Sequence, residues 1–224
     1  MTWVWQGGIH TVYSSTGGLP NGIFQNGTAT GKDGYTYSVT FDAAFVAANP
    51  VPNDVYEYIC TIHSTFGQTG TVKVEFPASV VTYGCTAPVN TLQSLSGSPT
   101  VGGSWTVGVT NNLATQSAGA LAFVAASATA APGYPCGPGL PGFGMSGAGA
   151  SGELLISVAP PNPLLQVGPL PWDGVSPTPF PLTIPSLPSL AGANIFLQGL
   201  MFDPAPAATV QFALTSGIAA TIGA

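Results

Sequence analysis

The spacing of apolar and polar positions predicts a chain built from short β-strands. Residues 35–41 alternate aromatic or aliphatic side chains with polar ones, which is the period of a half-buried strand. Residues 2–5 place Trp3 and Trp5 on one face in the same way, and residues 55–60 form a further strand-like run. Between these strands, Asp42 is positioned to cap a short helical turn over residues 43–48. The pattern predicts an antiparallel β domain with one short helix.

Beyond residue 84 the chain alternates short apolar runs with loops rich in proline and glycine. This pattern is typical of a β-sandwich. The segment 77–83 is interpreted as a hinge, so we predict two domains, residues 1–77 and residues 84–224. The strands predicted in the second domain are residues 104–109, 120–124, 153–158, 195–201 and 208–214.

Composition supports an all-β fold and excludes two classes of partner. The 224 residues include 30 glycines and 22 prolines, which favour turns over helices. Charged residues make up 4% of the chain, and two lysines against eight acids give a net charge of −6. A chain without a basic patch is not expected to bind nucleic acid. No apolar run reaches the ~18 residues that would indicate a membrane span.

The candidate chemistry lies in one cysteine, the two histidines and a glutamine. His63 stands three residues after Cys60, Gln68 follows five residues later, and His10 lies far upstream. A thiolate, two imidazoles and a weak fourth ligand are the set that holds an electron-transfer copper. Zinc also accepts cysteine and histidine with an oxygen donor. The plain structural alternatives are a buried or disulfide-bonded Cys60 and a surface Gln68.

These residues, in this order, resemble the cupredoxin family of plastocyanin-like copper proteins over about residues 2–76. The shared features are the Tyr56-x-Tyr58-x-Cys60 lead-in, the Cys60–His63–Gln68 spacing, a Gly-x-Thr-Gly-Thr-Val-x-Val exit at residues 67–74, and His10 after a strand. Residues 84–224 loosely resemble C-terminal β modules of proteins secreted by environmental bacteria. The resemblance implies a cupredoxin-like Greek-key β-sandwich followed by a second β-sandwich domain.

The family resemblance also implies a site and a reaction. One type 1 copper ion would be held by His10, Cys60, His63 and Gln68, and the Thr11 N–H would contact the Cys60 sulfur. Gln68 stands where the family usually has methionine, and its harder oxygen should lower the reduction potential. The protein would exchange single electrons with a redox partner protein.

The other two cysteines are assigned once Cys60 is given to the metal. We pair Cys85 with Cys136, and a Cys60–Cys85 bridge is the alternative. A disulfide implies an oxidising compartment, so we expect an extracellular or periplasmic protein, although residues 1–8 lack signal-peptide features. Family members usually carry two strands before residues 2–5. Without them a sheet edge would stay open, and self-assembly by addition of a neighbouring strand is expected there.

Catalysis is not favoured by the acidic and basic residues present. No aspartate or glutamate lies between residues 60 and 70, and residues 84–224 contain no histidine or lysine. The acids of that module are Glu153, Asp173 and Asp203, and Trp172 among prolines would contact a sugar or cover the core edge. The alternatives to electron transfer are a structural subunit of an extracellular β-rich assembly of donor-strand type and a copper-dependent oxidative enzyme.

Overall fold

The computed structural model describes residues 1–162 and 164–224, and it divides into two compact units, Met1–Phe76 and Pro77–Ala224. Both units are built from β-strands, which confirms the predicted all-β class. The strands of the first unit are β1 (Thr2–Val4), β2 (Tyr13–Thr16), β3 (Leu19–Gln25), β4 (Thr36–Ser38), β5 (Val55–Ile59) and β6 (Thr69–Lys73).

The first unit contains two antiparallel sheets and one α-helix. One sheet has the strand order β3-β2-β5-β6, and the other pairs β1 with β4. Helix α1 (Ala43–Ala48) begins where predicted, because the Asp42 carboxylate accepts the Phe45 N–H at 2.8 Å. Short 3₁₀ turns occupy Pro52–Asp54 and Ser64–Phe66.

The core of the first unit is strongly aromatic. The alternating face predicted for residues 35–41 does pack against this core through Tyr35, Tyr37 and Phe41. Tyr56 is almost fully buried, and its hydroxyl donates to the Asn49 carbonyl at 2.9 Å. The buried members of the cluster are Trp5, Val12, Phe24, Val46, Tyr56 and Val74.

The second unit is a sandwich of a five-stranded and a three-stranded sheet. Its strands are β7 (Ser79–Tyr83), β8 (Leu92–Gly97), β9 (Ser104–Val109), β10 (Leu121–Ser127), β11 (Gly139–Pro141), β12 (Ser151–Glu153), β13 (Leu165–Pro171), β14 (Thr178–Thr183), β15 (Asn194–Phe202) and β16 (Phe212–Thr221). The strand orders are β13-β10-β15-β16-β7 and β14-β9-β8, and β11 pairs with β12 in a separate hairpin. Trp105 and Val107 of β9 share one buried cluster with Ala122 and Val124 of β10, so the two sheets enclose a common core.

A disulfide joins Cys85 and Cys136 in the second unit, as predicted, and Cys60 is a free, buried thiol. The alternative Cys60–Cys85 bridge is therefore wrong. Trp172 lies in the core rather than at its edge: it is 2% exposed, and its indole N–H donates to the Ser176 carbonyl at 2.9 Å. A sugar cannot reach this ring.

Three sequence predictions differ from the structure. The segment 77–83 is not a plain hinge, because it contains β7, which pairs with β16. The last predicted strand starts later than residue 208, since β16 begins at Phe212. Residues 153–158 do not form one strand: the Gln198 side chain accepts the Leu155 N–H and donates to the Glu153 carbonyl, so an amide takes the place of a neighbouring strand.

In the part of the chain that is described, no helix combines the length and the apolar character needed to cross a bilayer.

Candidate metal centre

His10 is held by the turn that follows β1. Its Nε2 lies 2.9 Å from the Gly7 carbonyl oxygen, and its backbone forms a bridge with Thr30. A carbonyl can only accept, so Nε2 carries the proton and the neutral ring keeps a lone pair on Nδ1. Such a backbone contact to the distal nitrogen is the usual way in which a protein orients a histidine ligand.

Gly8 makes room for this ring. Its φ is +76°, a left-handed conformation that favours glycine, and a Cβ built there would lie 2.8 Å from His10 Nε2. The sequence identifies residues 7 and 8 only as a turn. The close approach of the histidine ring has no local sequence signal, because it depends on how the turn folds back.

The segment after β5 forms a closed loop that presents three of the predicted ligands. Strand β5 ends at Ile59, and the Cys60 N–H donates to the Gln68 carbonyl at 3.0 Å. Within the loop, the His63 N–H donates to the Cys60 carbonyl at 3.1 Å, and the Gln68 N–H donates to the His63 carbonyl at 3.3 Å. Gly67, at φ +79°, reverses the chain after the 3₁₀ turn. These backbone bonds fix the loop independently of any bound ion.

The structure brings the predicted thiol and both imidazoles together. One ligating atom from each of His10, Cys60 and His63 lies within 4.8 Å of the others. Cys60 Sγ is 3.5 Å from His63 Nδ1. Metal–sulfur and metal–nitrogen bonds of about 2.3 and 2.05 Å at a tetrahedral angle would separate these two atoms by about 3.5 Å. The observed spacing therefore fits a sulfur and a nitrogen that share one metal ion.

Gln68 is an exposed residue that contacts the same group through His10. Its Oε1 is 3.2 Å from His10 Nδ1. In the neutral ring these two atoms face each other with lone pairs, an arrangement that a cation, or a proton on Nδ1, would satisfy. The fourth predicted ligand thus lies next to the other three, and the softest donor, Cys60, is the most buried of the four, at 4% exposed.

The surroundings favour the thiolate form of Cys60. Burial raises the pKa of this thiol, but hydrogen bonds from the Thr11 backbone N–H, the doubly protonated form of the His10 ring and the Thr11 hydroxyl lower it to about 6. The Thr11 N–H lies 3.4 Å from Sγ, the contact that the family resemblance implies. In turn, the hydrogen bond to Cys60 raises the pKa of His10 above its ordinary value. The thiolate is the form that ligates a metal.

Three exposed apolar side chains stand close to the histidine ligands in the sequence, and we call them the apolar rim. Ile9, Ile62 and Phe66 are exposed, and Phe66 shows 84% of its surface. Each lies within three residues of a candidate histidine ligand. Both histidines are half-buried.

The other acidic candidates serve separate structural contacts. Glu57 accepts the Gly17 N–H, Asp173 accepts the Val175 and Ser176 N–H groups of its own turn, and Asp203 binds the Ser117 N–H and hydroxyl. A second group of residue types that can bind metals consists of Glu153, Cys85 and Cys136. Its two sulfurs form the disulfide, so it has no thiolate that could bind a metal ion.

Comparisons of the chain with models of protein families, with curated proteins and with solved structures gave no match.

Proposed function

We propose that the first unit is a cupredoxin-like domain that holds one type 1 copper ion and transfers single electrons. The observation that carries this proposal is the convergence of His10, Cys60 and His63, which lie on segments about fifty residues apart, on a common point. A soft thiolate with two imidazoles and a weak oxygen donor suits copper, whose affinity for such sites also exceeds that of zinc.

Each residue has a distinct role in this proposal. Cys60 supplies the thiolate, His10 and His63 supply imidazole nitrogens, and Gln68 supplies its amide oxygen as the fourth donor. Copper in such a ligand set supplies a one-electron couple. The loop's backbone hydrogen bonds and the Gly7 carbonyl hold the donors in place, so the change of oxidation state requires little movement of the protein.

The apolar rim of Ile9, Ile62 and Phe66 is the surface that a redox partner protein would contact. These residues are exposed and lie within three positions of His10 or His63, the ligands that would lead an electron out of the site. The disulfide in the second unit supports an extracellular or periplasmic location, because such bonds persist in oxidising compartments.

Copper titration of the full chain tests the proposal. Cu(II) should produce an intense thiolate-to-copper absorption band at one equivalent, and Cys60→Ala should abolish that band. The matched control is the double variant Cys85→Ala/Cys136→Ala, which also removes sulfur but leaves the centre intact and should keep the band. A wild-type chain without the band, or a Cys60→Ala chain that retains it, contradicts the proposal. Zinc as the resident metal would instead be found by metal analysis of the purified protein, and its complex would be colourless.

A second candidate, a structural subunit that assembles through strand addition, is favoured by the sheet edges of the first unit. Among the described residues, β1 pairs only with β4 and β6 pairs only with β5. Strand β1 contains neither a proline nor a charged residue that would protect its open edge, whereas β6 carries one such residue, Lys73. Light scattering over a range of concentrations should then detect oligomers, and a monomer at every concentration argues against this function.

A further inference from the structure

A cleft opens beside the candidate metal centre. Its volume is about 380 Å³, which lies in the range of ligand-binding clefts. One wall is the segment that runs from Trp3 to Gly7, and Tyr58 and Thr69 line the cleft as well. His10, Cys60 and Gln68 also line it, so a molecule in the cleft would reach three of the four candidate ligands.

Three aromatic residues, Trp3, Trp5 and Tyr58, are among those that line the cleft, beside a similar share of polar surface. Trp3 and Tyr58 meet edge to face with their ring centroids 5.2 Å apart, and Trp3 also lies 5.7 Å from the rings of Phe24 and Tyr37. A flat aromatic molecule would extend this cluster by the same offset or edge-to-face contacts.

Apart from the candidate metal ligands His10 and Cys60, the lining carries no side chain that is charged at neutral pH, and the whole chain is acidic, with a net charge of −6. An anion would be repelled by the net charge. The neutral polar groups at the lining include the amides of Gln6 and Gln68 and the hydroxyls of Thr11 and Thr69, which suit a neutral hydroxyl.

From the volume, the aromatic side chains and the neutral polar groups of the lining we propose that this cleft binds a neutral planar aromatic alcohol of the phenol class, in contact with the metal ligands. The proposal deepens the proposed function, because the bound ring would lie beside the copper ion. Binding itself depends on the cleft walls, which are present without a metal.

The probe is 4-fluorophenol, observed by the width of its ¹⁹F resonance in the presence of the full chain. The metal-free wild type should broaden the line saturably. Val4→Trp should weaken binding by about tenfold or more, a loss of ~1.4 kcal/mol, because Val4 lines the cleft and is 55% exposed, so a larger side chain fills the cleft without disturbing the core. Gln6→Trp, another exposed position on the same wall, should give the same loss.

Leu19→Trp is the matched control, since Leu19 is 73% exposed and lies outside the cleft lining; it should bind like the wild type. Loading with Cu(II) should broaden the bound line further than Zn(II), because only Cu(II) is paramagnetic. Absence of saturable broadening by the metal-free wild type, or equal binding by both cleft variants and the control, overturns the proposal. So does equal broadening by Cu(II) and Zn(II) in a chain that shows the copper band. A chain that lacks the copper band but binds the probe as described retains the cleft site while the electron-transfer function fails.

Discussion

Glu153 is a buried carboxylate in a unit without basic residues, and the loops joined by the disulfide close around it. Residues 77–224 contain no lysine, arginine or histidine. Glu153 is 3% exposed, and its Oε2 accepts the N–H groups of Cys85 at 2.8 Å and Thr86 at 3.0 Å. Its Oε1 accepts the Gly137 N–H at 2.8 Å. The Thr86 hydroxyl also donates to Oε2 at 3.3 Å, so backbone N–H groups and one hydroxyl compensate the buried charge.

Glu153→Gln tests whether the carboxylate stabilises these loops, because it preserves the size of the side chain and removes its charge. Both carboxylate oxygens accept backbone N–H groups, and the amide keeps only one oxygen. Its NH₂ group must therefore face a backbone N–H, and at least one N–H donor loses its acceptor. A hydrogen bond to a charged group contributes about 1.5–3 kcal/mol, and the orphaned donor adds a desolvation penalty. We expect the second unit to lose about 2–3 kcal/mol of unfolding free energy. For a unit of this size that corresponds to a fall in Tm of about 5–10 °C.

The pH dependence of stability should change as well. Burial raises the pKa of the Glu153 carboxyl, but the backbone N–H groups of Thr86, Gly137 and Cys85 lower it by more, to below its ordinary value. A lowered folded-state pKa means that the ionised form stabilises the fold. This stability is complete above the unfolded pKa of about 4.3, and it is lost as pH falls through the folded pKa. The glutamine variant should show a flatter acid dependence.

Differential scanning calorimetry of the full chain from pH 7 down to pH 3 measures both effects. The transition of the second unit is the one that shifts when the disulfide is reduced. Glu75→Gln is the matched control, because Glu75 makes an exposed ion pair with Lys73 and should change Tm little. If Glu153→Gln leaves Tm unchanged at pH 7, or if its acid dependence equals that of the wild type, the carboxylate does not stabilise these loops.

Three further predictions concern the metal centre and the disulfide. Gly8→Ala should weaken copper binding by about tenfold, because the new Cβ displaces the His10 ring, and a competition titration that gives the wild-type affinity refutes it. Gln68→Met should raise the reduction potential measured by voltammetry, since a thioether favours Cu(I), whereas a lower potential would contradict the assigned donor. Replacing Cys85 and Cys136 with alanine should cost about 4 kcal/mol for a loop of 51 residues in the chain-entropy model, so denaturant unfolding that shows no loss contradicts the expectation.

The period of the hydrophobic pattern predicted several of the strands that have one face in a core. Strand β9 has the predicted bounds, Ser104–Val109, because its alternating residues pack into the sandwich. Strands β13 and β14 were not predicted, because prolines such as Pro169, Pro179 and Pro181 resemble a loop, although β14 alternates buried Phe180 and Leu182 with its exposed prolines. Each of these strands lies at the edge of its sheet, where a missing N–H removes no required bond. Position in the sheet is a tertiary property, and local sequence does not contain it.

The candidate site, too, was only partly predictable from the sequence. Cys60, His63 and Gln68 lie within nine residues, so their spacing on one loop could be recognised from sequence. The approach of His10 followed only from the family resemblance, because it requires two distant strands to meet. The cleft could not be predicted, since it depends on the spacing of β1 from Tyr58 and Thr69.

The side chains that could bind a metal or transfer a proton are concentrated in the first unit. Both histidines, both lysines and the free thiol lie in residues 1–76, while the second unit has three acids among 148 residues, Pro77–Ala224. Those three carboxylates are each engaged by backbone N–H groups of nearby loops, which fixes the loops and leaves no free base or nucleophile among them. A role of the second unit in electron transfer would thus have to be one of binding or of support. Substitutions that abolish the proposed electron transfer should accordingly be found around Cys60. Substitutions around Glu153 should change the stability of the second unit without changing the copper spectrum.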